Sequence, residues 1–142
     1  MTIQFGGTTG EAVTGGSGRG STGPGNRRPV LIGWFSPTDQ SLVPLTGDAL
    51  GYGEPDLASV NGHDVYVSGE IGLRQGAMRA GFDGPDSLGA TLLHEWGHVI
   101  GLEHTGDRRQ LMYGGTSPTT VSHFQSGDRA GLRRLGDRSG CR

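Results

Sequence analysis

One small domain of mixed structure, α+β or α/β, is the architecture this sequence predicts. Three observations carry that expectation. A length of 142 residues suits a single core, since one domain typically spans about 100–200 residues. Segments that read as strands come first, and segments that read as helices come last. No stretch approaches ~18 consecutive apolar residues, so no insertion into a membrane is expected.

The elements follow in order. Thr2–Phe5 reads as a short strand with Ile3 and Phe5 on one face. Gly6–Arg28 is dominated by Gly, Ser, Thr and Pro, and Gly15–Asn26 contains no apolar residue. Such a stretch cannot offset its ordering entropy by burial and is expected to be a flexible loop. Val30–Phe35 is a continuous apolar run, as in a buried strand. Ser36–Asp48, with Pro37, Pro44 and Gly47, reads as loop. Ala49–Gly53 reads as a short edge strand weakened by its glycines. Asp64–Leu73 alternates, with Val65, Val67, Gly69 and Ile71 on one face, and reads as a strand. Asp86 or Ser87 then offers an N-cap for a helix over Leu88–Ile100, with Gly101 as its stop. A last helix is expected to start near Ser126–Asp128 and run to Leu135, ended by Gly136.

Composition narrows the function classes. Glycine supplies 29 residues and proline 7, about a quarter of the chain, while only 32% is hydrophobic. No Gly-X-Y period runs through the glycines, which excludes collagen. All 12 basic residues are arginine, and the formal net charge is -2. That balance gives no electrostatic reason to expect nucleic acid or an anionic membrane as a partner. The lone Cys141 rules out a disulfide within the chain. The polar, glycine-rich stretch after Met1 does not read as a signal peptide.

The chemistry sits in His94-Glu95-Trp96-Gly97-His98-Val99-Ile100-Gly101-Leu102-Glu103-His104. At ~100° per residue, Leu92, Leu93, Trp96, Val99 and Ile100 share an apolar arc of roughly 120°. His94 and His98 project together from the other side. Residues i and i+4 are neighbours on a helix surface, so the two imidazoles can share one ion. Gly101 can take φ > 0 and turn the chain back, which brings His104 to the same ion. Three neutral imidazoles leave a fourth position of a tetrahedral zinc open, the catalytic arrangement. The ion would lower the pKa of a bound water to about 7. Glu95 lies between the histidine face and the apolar arc, where it can act as general base toward that water. A lone H-E-x-x-H recurs by chance and could be a core histidine pair. The longer pattern should arise by chance only about once in 10⁴ or more such chains.

The pattern His94-Glu95-x-x-His98-x-x-Gly101-x-x-His104 resembles the extended zinc motif of the metzincin metallopeptidases. Leu111-Met112-Tyr113 resembles their Met-turn, and Met112 follows His104 by eight residues. That short spacing resembles the matrixin branch, and the wording is similar to actinobacterial matrixin-like domains. Ser126–Leu135 is similar to the matrixin C-terminal helix, which begins with an acidic residue.

The resemblance implies an α+β metzincin-like fold: a small, mixed, twisted sheet, an active-site helix, a Met-turn and a C-terminal helix. Residues 29–142 would form the zinc peptidase catalytic domain, and residues 1–28 a short strand plus a glycine- and serine-rich loop. Leu50, Gly51, Tyr52 and Gly53 would belong to the edge strand that pairs with an extended substrate. The implied function is hydrolysis of peptide bonds by Glu95-assisted attack of a zinc-bound water. His94, His98 and His104 would be the ligands, and the substrate a protein or peptide. The resemblance implies an extracellular monomer. A matrixin domain ordinarily opens with a further strand and a long helix. The expectation is that these lie upstream of Met1, together with a signal peptide.

Other residues read more plainly. His63 and His123 could serve a second, structural zinc, but neither sits in a ligand cluster, so both read as surface histidines. Asp39, Asp48, Asp56, Asp64, Asp83 and Asp86 lie near glycines. None forms a D-x-[DN]-x-[DN]-G loop, so turn chemistry is preferred to structural calcium. Tyr113 reads as packing or pocket wall. Two competing functions remain: a non-catalytic zinc-binding remnant of a metzincin domain, and a glycine-rich interaction module whose metal motif is accidental. Zinc content separates the second from the others, and turnover separates the first.

Overall fold

The computed structural model describes residues 6–14, 28–36, 49–115 and 121–138. The expected strand Thr2–Phe5, the glycine-rich run 15–27, the loop 37–48 and Cys141 lie outside the described residues. The elements are β1 (Leu31–Phe35), β2 (Gly51–Val60), β3 (His63–Arg74), α1 (Leu88–Val99) and α2 (Ser126–Arg138). Strands precede helices, and the fold is α+β.

The sheet has the order β1-β3-β2. β1 runs parallel to β3, with Leu31 opposite Glu70 and Phe35 opposite Arg74. β2 runs antiparallel to β3, with Tyr52 opposite Gly72 and Val60 opposite His63. β2 is therefore the antiparallel edge strand that was expected at Ala49–Gly53, but it continues seven residues further, to Val60. Pro55 and Asp56 read against a strand, yet an edge strand tolerates proline because one side needs no ladder donors. Asn61 and Gly62 close the hairpin at φ 53° and 79°. Asn-Gly with both residues left-handed is the tight turn that matches strand twist. The register shifts between Asp56 and Leu57, a bulge that absorbs one residue of β3.

The two faces of the sheet carry different layers. On one face Ile71 and Leu73 pack with Val99 of α1, and Val30, Met78, Leu88, Leu92 and Trp96 close around them. On the other face, the turned-away residues of the same strands include Leu31, Phe35 and Glu70, all buried. The short segment 11–14 crosses this second face. Val13 is buried there, and the Thr14 backbone N–H donates to the Glu70 carboxylate at 3.2 Å.

Both ends of α1 are set by specific residues. Ser87 is the N-cap, and its hydroxyl accepts from the Ala90 N–H at 3.1 Å. At the other end Gly101 N–H donates to His98 O at 2.9 Å and Leu102 N–H to Gly97 O at 2.8 Å. With Gly101 at φ 99°, this is the Schellman arrangement, in which a left-handed residue satisfies the last carbonyls and reverses the chain. α2 continues past Gly136 to Arg138, since a lone glycine costs only about 1 kcal/mol in a helix. Among the described residues, no helix is long and apolar enough to cross a membrane.

Candidate active site

The buried side of α1 fixes where the histidines point. Val99 faces the sheet core, and Glu95 packs against β2, so the remaining face of the helix presents His94 and His98. The Gly101 reversal then delivers His104. The three imidazoles form one cluster, with a nitrogen from each within 4.8 Å of the others. His104 Nε2 lies 3.1 Å from His94 Nε2 and 3.1 Å from His98 Nε2.

Backbone carbonyls set the tautomers. His94 Nδ1 sits 2.7 Å from Leu111 O, and His98 Nδ1 sits 2.8 Å from Leu102 O. A carbonyl can only accept, so each Nδ1 carries the proton and each Nε2 offers a lone pair. Metal-binding histidines are commonly oriented by this kind of outer contact. Burial, the largest influence, pushes His94 down to about 4 despite the bond to Leu111, and the neighbouring His98 and His104 add to the fall. His98 is lowered too, again chiefly by burial. Neutral imidazoles are the form a metal needs.

The donor set fits a divalent ion. One proton on His104 Nε2 could bridge to one neighbour, but it would leave the other pair of lone pairs opposed at 3.1 Å. A central cation satisfies all three. Tetrahedral zinc with bonds of about 2.0–2.1 Å separates its ligand atoms by roughly 3.3 Å, close to this spacing.

Glu95 is buried, and it meets the edge strand. A Cβ added at Gly51 would stand 3.1 Å from Glu95 Oε1. A Cβ at Gly53 would run into the Glu95 backbone carbonyl. The two glycines thus allow the helix and its carboxyl group to touch the strand. Desolvation pushes the Glu95 carboxyl up to about 8. Leu50 immediately precedes β2, and its carbonyl accepts from Arg74 N–H at 2.8 Å.

Met112 is buried directly beneath α1. A Cβ at Gly97 would strike Met112 Sδ, so the glycine inside the zinc pattern is the seat of this methionine. The turn is bound to the His104 loop on one side: Thr105 N–H donates to Met112 O at 2.8 Å, and Gly114 N–H to Thr105 O at 3.3 Å. On its other side Asp128 of α2 accepts from Leu111 N–H at 2.8 Å and Met112 N–H at 3.3 Å. Asp128 also accepts from Gln125 N–H at 2.8 Å, reaching back to the residue before its own helix. Gln110 Oε1 completes the seam, accepting from Gly127 N–H at 2.8 Å and Asp128 N–H at 3.2 Å. Tyr113 follows in this loop, half-buried, and its hydroxyl end lies against Gly115.

The structure gathers His94, His98 and His104, sets Glu95 against Gly51 and Gly53 and seats Met112 under Gly97, while the Tyr52 side chain turns to the Glu70 face of the sheet. His63 and His123 are exposed and do not join the cluster. Gly97, Gln110 and Asp128 carry structural duties that the sequence reading did not assign. A glycine inside an amphipathic helix was the available signal for Gly97, because it marks either instability or close approach.

Set against known families, the chain matches the family model described as matrixin over residues 58–135. That span begins in β2 and includes β3, α1, the three histidines, Met112 and most of α2. No curated protein and no solved structure matches the chain.

Proposed function

This chain belongs to the matrixin family, and from that premise we propose that it is a zinc-dependent endopeptidase. The observation that carries the reading is the convergence of His94, His98 and His104 next to a buried carboxyl group that touches the edge strand. His94, His98 and His104 would hold the zinc. Bound there, zinc supplies Lewis acidity, which polarises a scissile carbonyl and acidifies water.

The chain's own residues do the rest. The Leu111 and Leu102 carbonyls hold two imidazoles in the tautomer that ligates. An extended peptide lies along the free side of Leu50–Gly53 and adds a strand by main-chain hydrogen bonds. Glu95 takes the proton of the attacking water and passes it to the leaving amine. Its carboxyl group is buried beside the edge strand, and burial strengthens its hold on a proton, which suits a group that must accept a proton and later donate it. Met112 and Asp128 keep the floor of the site in place. The family suggests an extracellular enzyme acting as a monomer.

Glu95→Gln should bind zinc stoichiometrically while losing about 10²–10⁴-fold in turnover of a casein substrate. Chelator should silence the parent protein, and zinc should restore it. Zinc binding without turnover in the parent protein would instead favour a non-catalytic zinc-binding domain. Equal turnover by Glu95→Gln would remove Glu95 from its assigned role.

A further inference from the structure

We propose that Glu70 is a positioning residue of this site, acting from the face of the sheet opposite α1. It holds the edge strand, through the Tyr52 hydroxyl, at the depth where Gly51 and Gly53 meet Glu95. The inference rests on the peptidase reading and deepens it.

Glu70 lies in the middle of the central strand and is 2% exposed. A carboxyl group so placed needs donors around it. The Tyr52 hydroxyl donates to Glu70 Oε1 at 3.0 Å. The Thr14 N–H donates to both oxygens at 3.2 Å, and the Thr14 hydroxyl to both at 3.3 Å. These donors come from two other segments, the edge strand and the N-terminal strap 11–14. Glu70 is thus the junction at which strap, central strand and edge strand meet.

The consequence for the site follows from the pleat. Successive side chains of a strand point to opposite faces. Tyr52 therefore points away from α1, while Gly51 and Gly53 on either side of it point toward Glu95. The ring of Tyr52 lies against Gly72, where any Cβ would clash with it, and Phe35 stands 6.2 Å away by ring centroid. Anchoring this one ring fixes the height of both glycines. An edge strand is bound by a ladder on one side only, so an anchor on its face adds order that the ladder lacks. A peptide that adds to the strand then finds it already ordered, which lowers the cost of binding. The carboxyl group does not touch substrate, so its influence belongs in KM.

Three variants and two readouts test this. Tyr52→Phe keeps the ring and removes the donor. It should raise KM for an extended peptide by about three- to tenfold with kcat within about twofold, since the lost contact is made equally before and during reaction. Glu70→Gln should act in the same direction. Thr14→Val, which removes only the hydroxyl donor, should act more weakly. Amide hydrogen exchange over residues 51–54 should speed up in the same order in the zinc-loaded proteins without substrate. A merely structural role would lower the melting temperature and leave KM and local exchange unchanged, and that result overturns the proposal. A fall in kcat at constant KM does so too. Glu95→Gln is measured in parallel: parental turnover by it would sink the peptidase reading independently of Tyr52. If no protein turns over, exchange over 51–54 decides the positioning role alone.

Discussion

The two ends of the β2–β3 hairpin are paired by the same ladder, yet they are built to different standards. At the Gly51–Gly53 end, both faces are packed. Glu95 presses on one side, while Tyr52, Gly72 and Glu70 interlock on the other. At the far end Leu57 is 44% exposed and Tyr66 48%, and the Asn61-Gly62 turn ends the strand pair. One end holds a carboxyl group against the strand. The other sets only a register. Side-chain contacts that specify position are denser beside Glu95, and the hairpin beyond relies more on backbone pairing, with Ala58 buried and the Tyr66 hydroxyl end against Gly101 as its packed points. The turn that carries Met112 belongs to the first kind. It is held by Asp128, Gln110 and the Thr105 loop rather than by apolar packing alone.

The largest effect this contrast predicts, away from the three histidines and Glu95, falls on Asp128. Asp128→Ala strands the buried N–H groups of Leu111 and Met112 and loses the bond to Gln125. Each stranded buried donor costs about 1–3 kcal/mol, so a total loss near ~4 kcal/mol is expected. Leu111 also orients His94, so the damage should reach the metal. Outer contacts of metal ligands are typically worth about 10–100-fold in affinity. Chelator competition measures this directly, and unaltered zinc affinity would show that the Met112 turn holds its place without α2.

A middle-sized effect concerns the metal-free protein and its pH dependence. Glu95 is raised to about 8 from 4.5. For an acid raised in this way, stability is fully present below the unfolded value and is lost as pH climbs through the folded one. His94 is lowered to about 4 from 6.5. Its contribution has the opposite sense, being present above 6.5 and lost as pH falls toward 4. The two oppose each other most strongly below about pH 6.5, and Glu95 dominates above it. Chelated protein should therefore lose roughly 1 kcal/mol between pH 6.5 and 8, because the Glu95 slope of up to about 1.4 kcal/mol per pH unit flattens near its own value and His94 offsets part of it. Glu95→Gln should abolish the slope over that interval. Denaturant titrations at three pH values suffice, and an equal slope in the variant counts against burial as the cause.

How much of this was legible follows the same division. The helix that carries the histidines, its cap, the Gly101 reversal and the three-histidine cluster are legible because each rests on local spacing. Ser87 N-caps the helix, and Gly101 sits at φ 99°, as expected for residues whose duties involve neighbours in sequence. The contacts that reach across the chain could not be read. Tyr52 meets Glu70 18 residues away, and Leu111 meets Asp128 17 away. Neither pair has a periodicity or motif to announce it. The run from Glu54 to Val60 is hard to read for another reason: Pro55 and Asp56 argue against a strand, and the Asn61-Gly62 turn is what outweighs them.

The smallest expected effect lies at the far end of the hairpin, and it is the sharpest check on the contrast. Leu57 sits just past the bulge, exposed, opposite Tyr66. Leu57→Thr removes apolar surface that is already partly in water and substitutes a residue with high strand preference. Stability should change by less than about 0.5 kcal/mol. Zinc affinity and KM should stay at the parental values, because neither Glu95 nor the Tyr52 anchor depends on this position. The informative contact here is Tyr66, whose hydroxyl end lies against Gly101, the residue that turns the chain toward His104. If Leu57→Thr weakened zinc binding, the disturbance would have travelled through its partner Tyr66 to that turn. The two ends would then be one mechanical unit, and the hairpin tip would count as part of the metal site's support.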